Sequence, residues 1–175
     1  MSSKIDVRRI LSDHIQTLRN EKTNKRSLWD LTLFFLIPAC LGAFSIHKGF
    51  SFSDDAVGVL ITALSIFAGL LINVLVLIYS IFQNITEDGS GQNEQGLSTR
   101  GEEKRFLREI FANISFAILV AVSTVILVSL AQAFDIKQPV VFSGIVVAFS
   151  INFILTLLMA LKRIHALLSH KLASP

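Results

Sequence analysis

The sequence predicts an all-α membrane protein, a bundle of four transmembrane helices with both termini on the cytoplasmic side. Three observations carry that expectation. Four apolar segments, Leu28–Ile46, Ala56–Ile85, Phe111–Phe134 and Val140–Leu161, are each long enough to cross a hydrocarbon core of about 30 Å at about 1.5 Å rise per residue. The 175-residue chain is 52% hydrophobic with a mean hydropathy of +0.62, more apolar than an ordinary soluble domain. Its basic residues gather on one side of the segments. Lys4, Arg8, Arg9, Arg19, Lys22, Lys25 and Arg26 precede the first, Arg100, Lys104, Arg105 and Arg108 lie between the second and third, and Lys162, Arg163 and Lys171 follow the fourth. Lys48 and Lys137 alone fall on the other side, so the positive-inside rule places both termini and the long loop in the cytoplasm.

The chain divides into a basic cytosolic segment and linker (1–27), a first transmembrane hairpin (28–85), a flexible, acidic-leaning loop (86–105), a second hairpin (106–164) and a tail (165–175). Within the first segment, Val7, Ile10, Leu11, Ile15 and Leu18 recur at helical spacing, and Ser3 with Asp6 matches a capping box. This amphipathic N-terminal helix has three readings: it lies on the anionic inner leaflet, offers a surface to a cytosolic partner, or packs under its own bundle. Arg8, Arg9, Arg19, Lys104 and Arg105 are the candidate contacts to a membrane surface or partner.

Ser27–Asp30 repeats the capping spacing at the mouth of the first span, with Trp29 suited to the interface. Pro38, in mid-span, is expected to kink the helix or leave a carbonyl free for a neighbour. In the loop, Gly89, Gly91, Gly96 and Gly101 lack the Gly-Lys-Ser/Thr ending of a phosphate-binding loop; Thr99–Glu102 is expected to cap the helix entering the third span. A shift of 79 residues aligns Lys25-Arg26-Ser-Leu28 with Lys104-Arg105-Phe-Leu107, and Ile72-Asn73 with Ile151-Asn152. Two parallel helical-hairpin repeats are one consequence of that match.

Small and polar residues form stripes along the spans. The second carries Gly58, Thr62, Ser65, Gly69, Asn73, Val76 and Ser80 on one face; the third carries Asn113, Ala117, Ala121 and Thr124; the fourth carries Gly144, Ala148, Asn152 and Thr156. Such stripes either let helices approach closely and hydrogen-bond across the contact, or wet a pore in a homo-oligomer. Thr62, Ser65, Gly69, Asn73, Asn113, Gly144, Ala148 and Asn152 are therefore the candidate pore or packing residues. An amide in hydrocarbon is costly, so Asn73 and Asn152 each need a partner or water.

No catalytic, metal-binding or cofactor-binding motif is present. His14, His47, His165 and His170 are scattered, Cys40 is the one cysteine, and no ionisable side chain lies deep in a span. The last point argues against proton-coupled transport and voltage sensing. The basic ends are explained by membrane proximity, so no nucleic-acid partner is expected.

The Arg8-Arg9 helix, the Lys25-Arg26-Ser-Leu-Trp-Asp30 entry, the Ile72-Asn73-Val-Leu-Val-Leu-Ile-Tyr-Ser-Ile run and the cytosolic loop together resemble the small four-span membrane subunits of bacterial anti-phage defence systems, such as the membrane component of Kiwa. That resemblance implies a homo-oligomer in the inner membrane, sensing membrane disturbance or permeabilising the membrane with a cytosolic partner. The chain departs from nucleotide-signalled effectors in having no recognisable nucleotide-binding domain. A small constitutive channel or carrier and an accessory subunit of a larger membrane complex are the other expectations.

Overall fold

The computed structural model describes residues 7–17, 32–87, 94–134 and 140–173. Among these, every regular element is helical: α1 (Val7–Thr17), a π-helical turn (Thr32–Leu36) running into α2 (Ile37–His47), α3 (Asp54–Glu87), α4 (Glu94–Ala133) and α5 (Val140–Ala173). Three stretches, Asp54–Asn84, Lys104–Ala133 and Val140–Ala166, are long and apolar enough to cross a membrane; Thr32–His47 is a shorter apolar helix. Arg19, Trp29 and the capping sets at Ser3–Asp6 and Ser27–Asp30 lie outside the described residues.

Local chemistry sets the element ends. At the end of α2, Gly49 adopts φ +66°, its N–H donates to the Ile46 carbonyl, and the Phe50 N–H donates to the Ser45 carbonyl, each at 3.0 Å. This pair of bonds satisfies the last carbonyls of the helix and requires the left-handed residue that glycine supplies. Four residues later Ser53 Oγ accepts the Ala56 N–H at 3.3 Å, and Asp54 and Asp55 place negative charge at the positive end of α3.

Two boundaries differ from the sequence reading. α4 begins at Glu94, so residues 94–105, assigned to the flexible loop, extend the third-span helix instead, and Thr99–Glu102 lies inside it rather than at its start. α5 runs to Ala173, so most of the expected tail at 165–175 is helix. Hydropathy marks where a span leaves the apolar core, whereas a helix continues as long as its backbone bonds are made.

The packing order is α2 on α5, α5 on α4 and α4 on α3, with α1 laid against α4. The first apolar segment thus rests on the last helix, not on its chain neighbour α3. The α4–α5 pairing has no counterpart between α2 and α3, so the two halves do not fold as two alike hairpins. The core lies along α4, where Leu64, Ala68, Ala117, Ala121 and Phe153 form one layer, Ile78, Leu107, Ile110, Ile114 and Ala160 a second, and Val57, Val128 and Val146 a third. Ala117 and Ala121 are wholly buried because their small side chains admit neighbours on both sides. Outward faces carry Val59, Leu77, Ile126, Leu158 and Leu161, all more than half exposed. Such a continuous apolar surface suits lipid and would be a liability in water.

Candidate functional site

At the basic end of the bundle, α1 docks by polar contacts. His14 is fully buried, its ring stacked on Phe116 at 4.0 Å and edge-on to Phe34 at 6.0 Å. His14 Nδ1 donates to Asn113 Oδ1 at 2.9 Å, and the Thr17 hydroxyl lies 2.8 Å from that oxygen and 2.7 Å from the His14 carbonyl. Arg163 of α5 closes the junction: Nη2 donates to the Thr17 carbonyl at 2.7 Å, and Nη1 pairs with Glu109 Oε2. Glu109 Oε1 also accepts from Arg105 Nε at 3.2 Å. A cation at the last carbonyl of α1 suits the negative end of that helix.

Burial pushes the His14 pKa down to about 4; the Asn113 hydrogen bond opposes this and the Arg163 charge adds to it. The imidazole is therefore neutral at pH 7. His14 Nε2 and Asn113 Nδ2 are buried without a hydrogen-bond partner. His14 and Thr17 are both closed to solvent, so their side-by-side hydroxyl and imidazole lock helices together and are out of reach of a substrate.

This docking differs from the expected apolar stripe. α1 buries His14 and Thr17 and half-buries Ile10 and Ile15, while Val7 and Leu11 stay 42% and 40% exposed. α1 packs on its own bundle, one of the three readings given for it, and leaves Val7 and Leu11 of the apolar stripe exposed. Arg8 and Arg9 are exposed on the same helix.

A second polar contact lies along the α2–α5 seam. Proline has no N–H to return to the carbonyl four residues earlier. Asn152 Nδ2 donates instead to that carbonyl, Phe34 O, at 2.7 Å, the neighbour that Pro38 was expected to require. Gly42 and Gly144 face each other so closely that a Cβ on Gly42 would stand 2.6 Å from the Gly144 carbonyl oxygen and 3.0 Å from the Ala148 Cβ. The Gly144–Ala148–Asn152–Thr156 stripe is thus a packing surface. Asn113 and Thr124 on α4 are likewise buried.

The α3 stripe behaves differently. Thr62, Ser65, Gly69, Asn73 and Ser80 are all exposed, on the side of α3 away from α4. A Cβ on Gly58 or Gly69 would meet nothing within 4 Å. Thr62 returns its hydroxyl to the Gly58 carbonyl at 2.9 Å, whereas Ser65 and Asn73 make no side-chain hydrogen bond among the described residues. Of the remaining candidates, Arg105 is exposed and bound to Glu109, and Lys104 is half-buried.

Sequence reasoning missed His14, Thr17, Glu109 and Arg163. The only signal was the helical spacing of Ile10, His14 and Thr17, which marks a face without marking it as buried. Among the described residues no group of histidine, cysteine and carboxylate side chains could hold a metal ion. No protein-family model, curated protein or solved structure matches this chain.

Proposed function

We propose that copies of this chain associate through the outer face of α3 in a bacterial inner membrane. They form a four-span sensor or membrane-permeabilising effector that works with a cytosolic partner, in the manner of the anti-phage membrane subunits the sequence resembles. Thr32–His47 belongs to the fourth span in this reading, and both termini are cytoplasmic.

One observation carries it: Ser65 and Asn73 project, without hydrogen-bond partners among the described residues, from an outer helix face within a membrane-length apolar span. An amide turned to hydrocarbon costs roughly 1–3 kcal/mol unless it is satisfied. A second copy or a water-filled path between copies removes that cost. The internal seams support the same choice, because Asn113 Oδ1 and Asn152 Nδ2 each find a partner inside one chain.

The test is reconstitution of the full chain in liposomes, with mass in mild detergent and dye release measured with and without proteins that co-purify from the host. A defined oligomer that releases dye only with its partner supports the proposal. Constant leakage from a lone oligomer identifies a channel instead. A monomer stable only within a larger assembly identifies an accessory subunit.

A further inference from the structure

We propose that the groove between α3 and α4 at the basic end binds an anionic phospholipid, with the phosphate on Arg108 and Tyr79 and the acyl chain on the apolar walls. The placement of this groove in the inner leaflet rests on the topology proposed above; the binding itself does not.

The groove has a volume of about 190 Å³ and is lined by Ile78, Tyr79, Phe82, Leu107, Arg108 and Phe111. Its composition is that of an amphiphile site, four apolar side chains with a guanidinium and a phenol among them. Arg108 is exposed and has no carboxylate partner among the described residues. The adjacent acid, Glu109, does not neutralise it, because Arg105 and Arg163 occupy both Glu109 oxygens. The Tyr79 hydroxyl accepts from Gln83 Nε2 at 3.0 Å, which leaves its own proton free to donate. Two donors therefore border one apolar trough. A guanidinium matches phosphate oxygens in pairs, and a tyrosine at the membrane surface keeps its ring apolar and its hydroxyl wet. Lys104, one turn before Arg108, adds positive charge to the same end of α4.

A free anion would use the two donors and ignore the walls; a lipid without a phosphate would use the walls and ignore the donors. The larger cleft, about 430 Å³ between Ser123, Leu127, Phe134 and Phe142 among others, has one hydroxyl and no charge in its lining and makes no such selection.

The test is equilibrium binding of labelled phosphatidylglycerol to the full chain in a neutral detergent. Saturable binding of one lipid per chain is expected. Arg108→Gln should weaken it about tenfold, and Tyr79→Phe by a smaller factor. Lys48→Gln, which removes the same charge at the other end, should leave it unchanged. Three outcomes overturn the proposal: equal binding by Arg108→Gln, equal binding of diacylglycerol, which has the acyl chains without the phosphate, or full competition by millimolar inorganic phosphate. The readout is per chain in detergent, so it stands or falls apart from oligomerisation and membrane leakage.

Discussion

Asn73 and Asn152 share a side chain, matching places 79 residues apart in the sequence and a neighbourhood of small residues, yet their surroundings are opposite. Asn152 is buried and bonded to the Phe34 carbonyl, while Asn73 is exposed without a partner among the described residues. The contrast has a physical origin: Pro38 frees a carbonyl beside α5, and nothing among the described residues offers an acceptor beside Asn73. Asn152 and Pro38 should therefore be coupled. Asn152→Ala alone is expected to cost about 1 kcal/mol of stability in detergent. In a Pro38→Ala background the restored N–H serves Phe34, and the same substitution should cost markedly less. A double-mutant cycle by thermal unfolding measures this, and strictly additive effects would remove the assigned role of Asn152.

At the scale of elements, the apolar segments were legible because a run of Leu, Ile, Val and Phe has few other uses at such length. Their packing order was not, since lipid-facing and core-facing residues are equally apolar and periodicity cannot say which face meets which neighbour. The docking of α1 was hidden for a related reason. His14 and Thr17 read as polar residues at the edge of a stripe, and only the acceptor on Asn113 and the Arg163 guanidinium make them buriable. That docking should depend on pH with a definite sign. The folded pKa of about 4 lies below the ordinary value of 6.5, so the docked helix binds fewer protons than the released one. Docking is at full strength above pH 6.5 and weakens as pH falls toward 4. From these two values the loss at pH 5 is on the order of 2 kcal/mol. Arg105, Glu109 and Arg163 surround the junction, so His14→Gln is the needed control. Hydrogen exchange of the Val7–Thr17 amides should quicken between pH 7.5 and pH 5 after correction for intrinsic rates. The His14→Gln variant should lose most of that change, and an unchanged profile in wild type would exclude the mechanism.

For the whole molecule, α3, α4 and α5 share one core, and the face of α3 turned away from it carries an exposed polar stripe within a membrane-length span. The stripes themselves were legible in the sequence. What each one meets was not, because Gly144 and Gly69 look alike until one is found against Gly42 and the other against nothing. The central claim is that a second copy covers the α3 face, and disulfide trapping in native membranes tests it most directly. With Cys40, the sole native cysteine and an exposed one, replaced by alanine, cysteines are placed singly at Ser65 and Asn73. Phe67 and Ile81, exposed on the side of the same helix away from the stripe, provide the controls. Mild oxidation should yield linked dimers from Ser65→Cys and Asn73→Cys and few from Phe67→Cys and Ile81→Cys. Absence of dimers at the two stripe positions, or equal yields at all four, would contradict the account.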